Sequence, residues 1–184
     1  MKKILKITSG KRTLMYALTA FAILMAGCRG KEGPMGPTGN ANVVSAQYTV
    51  NPQDWSANSY GGYNATLLVP EITSDITNNG AVLVYNLNLD LNNNISSFNL
   101  LPYTYVDNTS VEYIDYDASL SQIVISFKWV DNGINDTPSP ATMYFKVVII
   151  DGMPLSAVKE KVNITNYNAV ASYFKLDNSK NLVK

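Results

Sequence analysis

Between Asn42 and Ile150 apolar and polar side chains alternate along the chain. Ile123, Ile125, Phe127 and Trp129 interleave with Gln122, Ser126 and Lys128, and Met143, Phe145, Val147 and Ile149 interleave with Thr142, Tyr144 and Lys146. A period of two is that of a strand with one buried face. The pattern therefore predicts strands over 122–130 and 142–150, with Phe127 and Phe145 pointing into one core. Residues 131–140 are rich in Asn, Asp, Gly and Pro, so they read as a long hairpin loop that makes these two strands central neighbours. Further strands are expected near 43–50, 62–69, 81–89, 97–106 and 111–116, the third showing Leu83, Tyr85, Leu87 and Leu89 against Asn86 and Asn88. Asp117-Ala118-Ser119 reads as the turn into 122–130.

Helical spacing occurs in two places. Pro70 to Gly80 suits a short helix, with Thr73 as cap, Ile72 and Ile76 on one side and Gly80 as the stop. After Thr165, the residues Tyr167, Val170, Ala171 and Phe174 form an i, i+3, i+4, i+7 stripe, and Lys175 suits the negative end of the helix dipole. This helix is expected to seal an open end or edge of the sheets. Residues 42–184 suffice for one core and not for two. The expectation is a mainly β chain: a single antiparallel β-sandwich, immunoglobulin-like or jelly-roll in type, with a short C-terminal helix.

The N-terminal part follows a different logic. Lys2, Lys3, Lys6, Lys11 and Arg12 precede an uncharged run from Thr13 to Ala26. That run is shorter than the roughly 20 apolar residues of a membrane span, and it suits the apolar region of an export signal. Leu24-Met25-Ala26-Gly27-Cys28 then resembles the lipobox of bacterial lipoproteins, with Met25 where Leu is more usual. The resemblance implies cleavage between Gly27 and Cys28 and acylation of the Cys28 sulfur. Cys28 is the single cysteine of the 184 residues, so its acylation leaves no thiol for a disulfide. Residues 1–27 are thus read as a signal peptide. Residues 28–41 follow as a spacer, because Gly30, Gly33, Gly36 and Gly39 recur every third position with Pro34 and Pro37 behind two of them. So few collagen-like triplets cannot hold a triple helix unaided, although nucleation of a trimer is the sharper alternative. In polyproline form, at about 3.1 Å per residue, they would reach roughly 37 Å.

Charge narrows the function. Removal of residues 1–27 leaves nine basic against 14 acidic residues, a net charge of −5. Between Lys31 and Lys128 there is no Lys or Arg, while Asp54, Glu71, Asp75, Asp90, Asp107, Glu112, Asp115 and Asp117 fall in that interval. A nucleic-acid partner is excluded, since phosphate requires cations. The run from Cys28 to Val43, together with Asn79-Gly80-Ala81-Val82-Leu83-Val84-Tyr85, Leu101-Pro102-Tyr103-Thr104 and Phe145-Lys146-Val147-Val148-Ile149, resembles the collagen-repeat lipoproteins of the Bacteroidetes. That resemblance implies a β-rich domain anchored in the cell envelope, most naturally at the outer membrane. It carries over no site residue beyond Cys28.

Candidate chemistry is thin. The chain has no His, which removes Ser-His-Asp and Cys-His catalysis and the commonest transition-metal ligand. Asp115 and Asp117, two apart on a strand, share a face as glycosidase acids must, but a strand entering a turn explains them as well. Asp90, Asn92 and Asn94 match the start of an EF-type loop, yet Ile95 stands where glycine is required and Leu101 where the bidentate glutamate belongs. Asp131, Asn135 and Asp136 remain as a weak calcium candidate. Trp55, Tyr60 and Tyr63 share one polar, Gly-containing stretch, where exposed rings would stack on a glycan. Packing over a sandwich end is the alternative. The expectation is a non-catalytic envelope lipoprotein, held in the bilayer by acylated Cys28, with a structural or protein-binding role. Glycan binding is the second reading and a carboxylate-dependent hydrolase the third.

Overall fold

The computed structural model describes residues 42–133 and 137–176. Nine strands follow in chain order: β1 Val43–Val50, β2 Ser56–Ala57, β3 Tyr63–Leu68, β4 Ala81–Leu89, β5 Ile95–Leu100, β6 Tyr103–Val106, β7 Ser110–Ser119, β8 Gln122–Asp131 and β9 Met143–Ile150. Three α-helices accompany them, α1 Ser74–Asn79, α2 Leu155–Lys161 and α3 Tyr167–Phe174. All pairings are antiparallel. One sheet has the order β1-β9-β4-β5 and the other β2-β3-β8-β7-β6. They pack as a β-sandwich, as the alternation predicts.

The core between the sheets takes the inward set of each strand. Tyr48 and Val50 of β1, Leu67 of β3, Ile114 of β7, Ile123, Ile125 and Phe127 of β8, and Phe145, Val147 and Ile149 of β9 meet there. Phe127 and Phe145 do share this core, but their strands are not neighbours. β8 lies between β3 and β7, and β9 lies between β1 and β4. The link 131–140 is therefore a passage from one sheet to the other rather than a hairpin loop. Alternation reveals which face of a strand is buried and is silent about its partner, because any two strands with the same period are interchangeable in sequence.

The expected strand 97–106 is two strands. β5 belongs to the four-stranded sheet and β6 to the five-stranded one, and the chain changes sheets at Leu101-Pro102. Proline has no N–H to give a ladder, so the break falls at that dipeptide. Strand β7 runs on to Ser119, and the hairpin turns at Leu120-Ser121, with Ser121 at φ 60. The anticipated turn residues Asp117 to Ser119 are paired with β8 instead. Helix α1 forms as its caps predict: Thr73 accepts the Ile76 N–H at 3.4 Å, and the Gly80 N–H closes the helix on Ile76 O at 2.9 Å. A Cβ on Gly80 would meet the carbonyl oxygen of Ile150, so this stop is also a close approach of two backbones.

The largest departure concerns the C-terminal helix. It covers no end or edge but lies, with the unanticipated α2, on the outer face of the four-stranded sheet. Ala81, Leu83, Tyr85, Val148 and Ile150 form a second buried cluster with Val158, Tyr167, Val170, Ala171 and Phe174. The Tyr85 hydroxyl donates to Ile164 O at 2.7 Å, Tyr167 meets Tyr85 edge-on at 5.3 Å, and Phe98 stacks on Tyr167 at 4.1 Å. The cap of α3 is Asn166, whose side chain accepts the Ala169 N–H. Lys175 takes the left-handed C-cap conformation at φ 52. β9 is thus buried on both faces, and even Lys146 on its outer side is only 2% exposed, its ammonium pKa pushed down by that burial.

Candidate functional site

The outer face of the five-stranded sheet has no helix upon it among the described residues. Its cross-strand rows are read from the register: Thr104, Tyr113 and Lys128 stand side by side, followed by Asp115, Ser126 and Asn64, then Asp117, Val124 and Thr66. Over the first two rows lies the loop from Asn58 to Gly62. Asn58 holds this loop closed. Its Oδ1 accepts the N–H of Tyr60 at 2.9 Å and of Gly62 at 3.1 Å, its Nδ2 donates to Asn64 Oδ1 at 2.8 Å, and its own N–H donates to Gly62 O at 2.8 Å. Side-chain amides of this kind replace backbone turn bonds. Thr137 fastens the loop to β8, its hydroxyl donating to Gly61 O at 2.7 Å while accepting the Trp129 N–H at 3.2 Å. At Gly62 a Cβ would run into the Phe127 carbonyl, so only glycine lets the loop lie this close to the sheet.

Beneath the loop is an open groove of about 170 Å³, lined by Asn58, Tyr60, Tyr113, Asp115, Ser126 and Lys128. Tyr60 is 82% exposed and Tyr113 is 45% exposed. The lining surface of the groove is almost wholly apolar, and the Asn58 amide is taken up in holding the loop. A second depression of about 330 Å³ lies beside Asp54, Ser56 and Thr66. Its carboxylate is already engaged by the Asn51 N–H at 2.8 Å.

The aromatic candidates separate. Trp55 is 7% exposed, sits in the inter-sheet core and meets the Phe127 ring at 6.1 Å. It cannot stack on a glycan without leaving that core, and its Nε1 has no hydrogen-bond partner among the described residues. Tyr63 lies opposite Phe127 and packs, half-buried, against the same core. Tyr60 alone of the three faces solvent. Its companions Tyr113 and Lys128 come from β7 and β8, and only the register, which pairs them across the strands, could have drawn attention to them.

The carboxylates also separate. Asp115 and Asp117 share the open face, as their spacing requires, and the Asp115 carboxylate accepts the Tyr116 N–H at 2.7 Å. Asp90 accepts the backbone N–H groups of Asn92 and Asn94, each at 2.8 Å, which close the β4–β5 loop and hold its pKa below the usual carboxylate value. Asp107 does the same with Thr109 and Ser110 in the β6–β7 turn. Burial raises the pKa of Glu112. Of the calcium candidate, Asp131 ends β8 and accepts the Asn132 side chain at 3.1 Å, while Asn135 and Asp136 lie outside the described residues. Among the described residues no group of three His, Cys, Asp or Glu could hold a metal ion. Gly27 and Cys28 lie outside them too.

Comparison with protein-family models, with curated proteins and with solved structures returned no match. The resemblance to collagen-repeat lipoproteins thus rests on the residues quoted for it.

Proposed function

We propose that the chain is a lipid-anchored, non-catalytic binding module of a bacterial cell envelope, most naturally of the outer membrane. The observation that carries the reading is the succession of a lipobox ending at Cys28, a Gly-Pro spacer and a domain whose first strand opens at Val43. A spacer between anchor and domain serves display, since it lifts the domain away from the bilayer. Among the described residues no helix is long and apolar enough to cross a membrane, and acyl chains on Cys28 supply the attachment in this reading. The open face of the five-stranded sheet, with its ordered Asn58–Gly62 loop, is the surface through which the module binds.

Cys28→Ser tests the anchor. One myristoyl chain alone binds membranes only marginally, with a constant of about 10⁴ M⁻¹, so the several chains of a mature lipoprotein hold firmly and their loss is decisive. Cell fractionation should move the variant from the membrane to the soluble fraction. Retention with membranes would contradict the anchor.

A further inference from the structure

We propose that Asn132 is a site of spontaneous covalent change, where the chain converts its own asparagine to aspartate and isoaspartate, while the fold holds the second Asn-Gly pair of the sequence inert. The inference is independent of the anchor and of any partner.

The chemistry needs only the chain and water. The backbone nitrogen of the residue after an asparagine gives its proton to a base in solution and attacks the side-chain amide carbon. The new C–N bond closes a five-membered succinimide, and the amide nitrogen leaves as ammonia. Water then opens the ring at either carbonyl. Attack at the side-chain carbonyl breaks the new bond and gives aspartate, and attack at the main-chain carbonyl breaks the original peptide bond and gives isoaspartate. A following glycine favours the first step, because no side chain shields its nitrogen. The sequence has two such pairs, Asn79-Gly80 and Asn132-Gly133.

The fold treats them differently. Asn132 and Gly133 are exposed where the chain leaves β8. A Cβ on Gly133 would meet nothing within 4 Å, so the attacking nitrogen stands in open space. Its N–H has no hydrogen-bond partner among the described residues, and the Asn132 side chain is held by one exposed bond, from Nδ2 to Asp131 Oδ1 at 3.1 Å. Asn79-Gly80, by contrast, closes helix α1. The Gly80 N–H donates to Ile76 O at 2.9 Å, and a Cβ on Gly80 would run into the backbone oxygens of Ile150 and Ile76. That nitrogen reaches the Asn79 side chain only when the helix end opens, so its reaction is slowed by the small population of the open form. At Asn132 no regular element has to open first. The product alters this corner of the molecule: a carboxylate at position 132 faces that of Asp131 in place of a donated hydrogen bond. Isoaspartate also lengthens the backbone by one carbon just beyond the Asn132 N–H that holds Thr109 O at 2.7 Å.

The test incubates the full-length protein in detergent, in mildly alkaline heavy-oxygen water, with and without enough urea to unfold it. Peptide mass spectrometry at intervals then follows both sites, and the heavy oxygen separates new conversion from any already present. In the native protein Asn132 should convert roughly tenfold or more faster than Asn79, the ratio for a helix end open a tenth of the time or less. In urea the two rates should converge. Asn132→Gln should abolish conversion at that position, since its attack would need a larger ring, and should leave Asn79 as it was. Native conversion of Asn132 no faster than that of Asn79, or none at Asn132 until urea is added, would overturn the proposal. So would a ratio that persists undiminished in urea, because the sequence neighbours and not the fold would then set it.

Discussion

The two sheets of this sandwich meet the same core from opposite sides and differ on their outer faces. On the four-stranded sheet Leu83, Tyr85, Val148 and Ile150 point outward into a second buried cluster under α2 and α3. On the five-stranded sheet the corresponding positions are Tyr113, Asp115, Asp117, Val124, Ser126 and Lys128, none of them buried. One outer face is sealed by helices, the other is open among the described residues, and the ordered loop with the exposed Tyr60 lies on the open side.

The comparison breaks most visibly if a charge is placed on each outer face. Val148 is fully buried against the helices, so Val148→Lys should cost about 3–5 kcal/mol, enough to remove much of a domain's stability. Val124 lies on the open face opposite Asp117 and Thr66, so Val124→Lys should stay within about 0.5 kcal/mol. Urea midpoints of the two variants decide it, and equal losses would mean that both outer faces are covered.

A smaller effect should appear in alkali. Burial pushes the phenols of Tyr48 and Tyr167 up to about 12, the Glu71 carboxylate adding to the rise at Tyr48, and it raises Tyr85 and Tyr116 as well. A raised phenol favours the fold while it is protonated. Its contribution is fully present below the unfolded value near pH 10 and is lost as pH rises through the folded value. Thermal midpoints should therefore fall steeply between about pH 10 and pH 12. In Tyr167→Phe, which cannot ionise there, the fall should be shallower, and an unchanged slope would place Tyr167 outside the covered face.

What was legible in the sequence was local. Strands 43–50 and 81–89 and the caps Thr73 and Gly80 appear where pattern and turn chemistry put them, because each depends on a few adjacent residues. The partner of each strand depends on contacts far along the chain, so β8 and β9 passed as a hairpin although they lie in different sheets. A clue to the covered face was present: Val147 to Ile150 is apolar without interruption, as in strands buried on both sides. Helix α2 likewise offered Leu155, Val158 and Val162 at helical spacing after Pro154. For the candidate site, Trp55 and Tyr60 are five residues apart in one polar stretch, and only the Phe127 ring beneath one of them separates a core residue from an exposed one.

One measurement addresses both faces at once. Brief nitration of the native protein with tetranitromethane, mapped by peptide mass spectrometry, reads the exposure of each tyrosine in a single sample. The account predicts early modification of Tyr60 and Tyr113 on the open face and protection of Tyr85 and Tyr167 beneath the helices until the protein is unfolded. Modification of Tyr85 and Tyr167 as fast as that of Tyr60 would contradict it, since the four-stranded sheet would then be as open as the five-stranded one.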